Sequence, residues 1–175
     1  MDIKAATAAD LAPISKLHDA AFGTPHEGRL VADLTHSDLA VLSLVARENG
    51  TIVGHILFSP LVIDVDDDTV MGLALAPLAV LPPHQNRGIG TALTRAGLVA
   101  AVQHDWQAVI VLGHPSYYSR FGFSATLAQG FESPFAGPYL MALELIPGAL
   151  SGRKGKIIYP PPFTALAAGE PQNAL

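Results

Sequence analysis

Leu78-Ala79-Val80-Leu81-Pro82-Pro83-His84-Gln85-Asn86-Arg87-Gly88-Ile89-Gly90-Thr91-Ala92-Leu93 is the stretch on which the reading of this chain turns. An apolar run ends at two prolines, a short polar loop follows, and a helical pattern opens among glycines. The first turn of a helix has backbone N–H groups without intrahelical partners, and they carry the positive end of the helix dipole. Glycines allow positive φ and close approach of the main chain to a bulky anion. This helix start among glycines therefore reads as a main-chain cradle for a pyrophosphate.

Elements extend outward from this loop in both directions. Before it, Leu39–Ala46, Thr51–Ile63 and Val70–Leu81 read as a meander of three antiparallel strands. The pair Asn49-Gly50 supplies the type I′ hairpin between the first two. Asp64 to Asp68, with four acids in five positions, reads as a solvated hairpin tip. A calcium loop would need more ligands and a glycine at fixed spacing, so no metal site is expected. Further upstream, Ile3–Ala6 is a short strand, and Thr7-Ala8-Ala9-Asp10 resembles a capping box. Leu11, Ile14, Leu17 and Ala21 then mark a helix to about Phe22, and Leu30, Val31 and Leu34 mark a second over Glu27–Leu34.

After the loop, Gly90–His104 is helical with a small apolar face, and the β-branched run Ala108–Leu112 is a buried strand. Ser116–Arg120 reads as a short helix. Phe123 onward and Tyr139–Leu145 read as two closing strands, with Arg153-Lys154-Gly155-Lys156 as a solvated turn. The order is β-α-α-β-β-β-α-β-α-β-β, an α/β fold with a mixed sheet and helices on its faces. One domain over residues 1–163 is expected, followed by a tail over 164–175.

Composition narrows the function classes. Half of the 175 residues are hydrophobic, which supports a packed core. No cysteine is present, which excludes disulfides, thiolate metal sites and cysteine nucleophiles. The formal charge is −5 and there is no basic run, so a nucleic-acid partner is not expected. The most apolar stretch, Leu73–Leu81, is too short to span a bilayer, so no membrane partner is expected and the location reads as cytoplasmic.

Three phosphate loops compete for the glycine segment. A Walker A loop needs Gly-Lys-Ser/Thr, whereas Gly90 precedes Thr91-Ala92. A dinucleotide fingerprint needs a small residue where Leu93 stands, within a parallel unit. The third is Gln/Arg-x-x-Gly-x-Gly/Ala, and Gln85-x-x-Gly88-x-Gly90 matches it. At this point the chain resembles the GNAT superfamily of N-acetyltransferases. Val80-x-Pro82-x-x-Gln85-x-x-Gly88-x-Gly90 carries the resemblance, together with Tyr118-Ser119-Arg120-Phe121-Gly122-Phe123, which looks like the family's Tyr-x-x-x-Gly-Phe. Gly54-His55-x-Leu57-Phe58-Ser59-Pro60, Gly113-His114-Pro115-x-Tyr117-Tyr118 and Tyr159-Pro160-Pro161-Pro162-Phe163 look like a bacterial subgroup of predicted acetyltransferases.

The resemblance implies a GNAT-like acyl-CoA N-acyltransferase fold and acetyl transfer from acetyl-CoA to an amine. It implies that Leu78, Ala79 and Val80 pair with the pantetheine arm as an extra strand. Gln85, Asn86, Arg87, Gly88, Ile89, Gly90 and Thr91 would hold the pyrophosphate. Tyr118 would be the general acid at the sulfur, and the Val80 N–H would polarise the carbonyl. The family's fourth strand is splayed at a bulge, and Pro77 suits such a place on its own account.

Two departures stand out. Many relatives carry a fourth-strand acid as base, and Leu73–Leu81 has none; many carry an asparagine seven residues before the tyrosine, and that position is Val111. The base is left open among His114, His55 and a water chain, with His114 the first residue to test. Tyr117 stands as an alternative acid. A non-catalytic acyl-CoA-binding module and a different acyl donor remain rival readings. The C-terminal strands are free to pair between subunits, so a homodimer is open as well.

Overall fold

Asp2–Ala5 forms β1, and the chain turns at Thr7, whose N–H and hydroxyl both donate to Asp10 Oδ2 at 2.9 Å. The cap opens a 3-10 turn over Ala8–Asp10 that runs into α1, Leu11–Phe22. The Thr7 N–H, with Arg47 beside it, holds the Asp10 carboxyl below the usual range. Gly23 ends α1 in the left-handed region at φ 74°, and α2 follows over His26–His36. In the computed structural model residues 1–66 and 68–167 are described; Asp67 of the acidic tip and residues 168–175 of the tail lie outside them.

The strands β2 (Leu42–Glu48), β3 (Thr51–Val65) and β4 (Asp68–Val80) follow. Asn49 and Gly50 both have positive φ, 49° and 81°, as a type I′ turn requires. The helix α3 spans Ile89–Gln103, β5 Ala108–Leu112, α4 Pro115–Tyr118, α5 Ala125–Ala128, β6 Phe131–Glu132, β7 Leu140–Glu144, β8 Gly155–Ile158 and α6 Pro161–Ala167. Hydrogen-bonded neighbours run β1-β2-β3-β4-β5-β7, with β8 beside β3 and β6 beside β8. This is the mixed sheet expected from the element order. Among the described residues, no helix is long and apolar enough to cross a membrane.

The chain forms two compact units. The first holds Met1–Ser59 and Ala76–Ala101. Within it β1 and β2 are antiparallel, as are β2 and the first part of β3. Ile14, Leu17, Leu34, Ile56, Phe58 and Leu93 are among its buried side chains. The helix α3 comes unusually close to β3. A Cβ on Gly97 would stand 2.3 Å from the Phe58 ring, and one on Gly54 would stand 2.9 Å from Leu93. Glycine at these two places lets the helix seat deeply, which fixes the position of the loop that feeds it.

The second unit holds Pro60–Leu75 and Val102 onward. Its β5 runs parallel to β4 from Gly72↔Ala108 to Leu75↔Val111, and the ladder stops there, just short of Pro77. On its other side β5 is antiparallel to β7, and β8 is antiparallel to the second part of β3. The segment after Phe123 is not the strand expected. It makes one bridge, Ser124↔Ala142, and then turns into α5 because Ser124 Oγ accepts the Leu127 N–H at 3.2 Å. Gly155-Lys156 is not part of a solvated turn but the start of β8. A Cβ on Gly155 would stand 1.7 Å from the Asp64 carbonyl oxygen, so its glycine marks a close strand approach. The helix α6 runs on through Thr164 to Ala167, into the first part of the segment expected as a tail. Buried Phe163 anchors it against Tyr159, whose ring meets Phe135 edge-on at 4.9 Å.

Candidate functional site

The loop expected to hold a pyrophosphate lies wholly within the first unit. Leu78, Ala79 and Val80 end β4 with Ala79 buried and its neighbours half-buried. Leu81 donates its N–H to the Val53 carbonyl at 2.9 Å, which ties the strand end to β3. Pro82–His84 makes one 3-10 turn, and Gln85 Nε2 reaches back to the Val80 carbonyl at 3.0 Å. Gln85, Asn86, Arg87 and Gly88 are exposed.

The turn into α3 uses two left-handed residues, Asn86 at φ 59° and Gly88 at φ 81°. A side chain on Gly88 would meet nothing within 4 Å, so the glycine is required by conformation rather than by crowding. The first intrahelical bond is Ala92 N–H to the Gly88 carbonyl, at 2.9 Å. The N–H groups of Ile89, Gly90 and Thr91 precede it and have no intrahelical acceptor. The Gly90 carbonyl is taken by the buried Thr94 hydroxyl at 2.9 Å, which stiffens this first turn. The result is an exposed loop over a set of main-chain donors at the positive end of a 15-residue helix.

One side chain from outside the loop, Glu48, converges on it. Arg87 Nη2 donates to Glu48 Oε1 at 3.1 Å, and Arg87 Nη1 lies 3.0 Å from His84 Nδ1. His84 Nδ1 in turn lies 3.1 Å from Glu48 Oε2. Glu48 sits 36 residues before His84, and no local pattern could have linked them.

The second unit carries Tyr118 and His114. Tyr118 donates its backbone N–H to the His114 carbonyl at 3.1 Å, which joins the last residue of α4 to its N-cap. The Tyr118 side chain is buried, edge-on to Tyr117 at 4.9 Å and to Phe123 at 5.6 Å. Its ring lies so close to Gly113 that a Cβ there would stand 2.3 Å away. Burial, with Tyr117 adding to it, pushes the phenol well above its ordinary value. The phenol is therefore protonated at neutral pH. His114 is exposed and meets the Tyr139 ring edge-on at 5.3 Å. The Tyr117 hydroxyl is sealed without a hydrogen-bond partner, and the Arg120 guanidinium lies 4.5 Å from its ring centre.

His55 is built into the core of the first unit. Its Nε2 lies 2.9 Å from Ser43 Oγ and its Nδ1 lies 2.8 Å from His18 Nε2, with both histidines fully buried. His18 Nδ1 has no partner. A bare lone pair is easier to leave unpaired than an N–H, so the chain runs from His18 Nε2–H to His55 and from His55 Nε2–H to Ser43. Burial lowers His18 to about 4 and holds His55 well below its ordinary value. Neither imidazole takes up a proton near neutral pH.

Residues 2–126 match the family model described as an acetyltransferase (GNAT) domain. The uncharacterized N-acetyltransferase YjhQ of Escherichia coli K12 is 39% identical over 132 residues, 74% of this chain and 73% of its own length. Among solved structures, the GNAT family N-acetyltransferase YhbS of Escherichia coli, in complex with CoA, superposes with a TM-score of 0.84 at 30% identity. That match covers 93% of this chain and 91% of the other. A GNAT family acetyltransferase from Brucella melitensis, in complex with acetyl-CoA, gives 0.77 at 31% identity, over 93% and 97% of the two chains. With residues 2–126 matched by the family model and most of its length matched by these relatives, the chain belongs to the GNAT acetyltransferase family.

Proposed function

We propose that this protein transfers the acetyl group of acetyl-CoA to a primary amine by direct attack on the thioester. The observation that carries the reading is the left-handed turn at Asn86 and Gly88, which presents free main-chain donors at the start of α3. The CoA and acetyl-CoA complexes of the two structural relatives support it. In this reading Asn86 through Thr91 hold the pyrophosphate by N–H groups. Leu78, Ala79 and Val80 offer main-chain pairing to the pantetheine arm.

The chemistry is an exchange of one bond for another. The amine nitrogen attacks the carbonyl carbon, the C–N bond forms, and the C–S bond breaks. An alkylammonium has a pKa of about 10.4, so it loses a proton before attack. The oxyanion needs an N–H donor, and we assign that role to Val80. The departing thiolate takes a proton, which we assign to the buried phenol of Tyr118. The neutral, sealed pair His18–His55 is a poor acceptor for the amine proton. His114, exposed beside α4, is the side chain to test as base, with water as the alternative.

The reading places the protein in the cytoplasm, where acetyl-CoA is made and used. A homodimer built from the C-terminal strands would have little edge to use. β8 already pairs with β3 and β6, and β7 is bridged at Ala142 by Ser124. Sedimentation of the purified protein decides that point. The acceptor class is decided by CoA release in a panel of small amines, amino acids and peptides. Amine-dependent CoA release identifies a transferase. Acetyl-CoA binding without release by any amine would favour a non-catalytic acyl-CoA-binding module.

A further inference from the structure

Arg87 is the single lysine or arginine between residues 78 and 91, so it is the only full positive charge on the loop. It is not free. Its Nη2 donates to Glu48 Oε1 at 3.1 Å, and its Nη1 lies 3.0 Å from His84 Nδ1. The Glu48 carboxylate cancels the charge that a phosphate group would seek. Arg47, the other guanidinium near Glu48 in sequence, is committed to Asp10 and to the Gly50 carbonyl.

His84 Nδ1 makes the arrangement exchangeable. It lies 3.0 Å from an Arg87 donor and 3.1 Å from Glu48 Oε2. One ring nitrogen cannot serve both. As a lone pair it accepts from Arg87, and as an N–H it donates to Glu48. While Arg87 is docked, the guanidinium satisfies His84 and Glu48 together. If Arg87 swings away, His84 in its other tautomer donates to Glu48, and the carboxylate keeps a partner. The half-buried Glu48 and His84 then stay in place, while the Arg87 side chain, 52% exposed, is the member able to move.

We infer that Glu48 is an internal competitor for the phosphates of the acyl donor, and that Arg87 exchanges Glu48 for a phosphate group when acetyl-CoA binds. This rests on the acetyl-CoA reading above. Glu48 is thereby a residue that tunes cofactor affinity from outside the glycine loop. An exposed pair of this kind contributes modestly, so the expected effect is small and depends on salt.

The test is calorimetric titration of the wild type, Glu48→Gln, Arg87→Ala and the double variant with acetyl-CoA, and with the phosphate-free acetyl thioester of pantetheine. Glu48→Gln is expected to bind acetyl-CoA roughly two- to fivefold more tightly at low salt. The gain is expected to shrink at high salt, to vanish in the Arg87→Ala background, and to be absent with acetyl-pantetheine. If Glu48→Gln weakens binding or leaves it unchanged while the wild type binds, Glu48 is not a competitor. A gain that persists without Arg87 would also overturn the exchange. Failure of folded wild type to bind acetyl-CoA at all would remove the acetyl-CoA reading itself, and the inference with it.

Discussion

Tyr118 shows what burial does to a titratable group. Its phenol is packed against Tyr117 and Phe123 and pushed upward in pKa, so it stays protonated wherever the enzyme works. Tyr118→Phe is expected to lower kcat by about a hundredfold or more, similarly at each pH tested, in a steady-state assay of CoA release. An unchanged kcat would remove the residue from the mechanism. His18 and His55 give the opposite case. His18 falls from 6.5 unfolded to about 4 folded, so the unfolded chain binds more protons between those values. The stability it contributes is present above pH 6.5 and is lost as pH falls towards about 4. Its loss is on the order of 3 kcal/mol, and His55 adds in the same direction. Chemical denaturation at stepped pH should show this decline, and a His18→Leu variant should show a shallower one. At this scale the glycine loop was legible because positive φ leaves a residue signature at Asn86 and Gly88. The contact of Glu48 with His84 and Arg87 was not, because a pair joined across a fold leaves none.

Elements were read where periodicity was long. The helices α1, α2 and α3 and the strands β3 to β5 lie within a few residues of their expected bounds, because each carries a continuous apolar pattern. Some short elements were lost, although β1 and α4 were read. The helix α5 has four residues and depends on one serine cap. The strand β8 was hidden because Lys154, Gly155 and Lys156 look like a turn until Asp64 is seen beside the glycine. The seating of α3 on β3 was also invisible in the sequence, although the glycines were not. Gly97→Ala is expected to cost about 1–3 kcal/mol, because a Cβ at 2.3 Å from the Phe58 ring forces either the ring or the helix to shift. Thermal unfolding measures the loss. A variant as stable as wild type would mean that the helix has room to spare.

For the whole molecule, order along the chain foretold the mixed sheet, and family membership follows from residues 2–126 and from relatives that match most of the length. The acceptor was not legible. Acceptor choice depends on loop side chains, whose composition varies without a fixed pattern. The donor reading has a sharper consequence. Gly88 has open space around its missing side chain but a φ of 81°. Gly88→Glu therefore leaves the packing intact while it strains the turn and sets a carboxylate against the phosphates. The most direct measurement is calorimetric titration of the wild type and of Gly88→Glu with acetyl-CoA, with folding of both checked by circular dichroism. The account predicts saturable binding by the wild type that Gly88→Glu abolishes. A folded wild type that does not bind, or a Gly88→Glu variant that binds equally well, would contradict it.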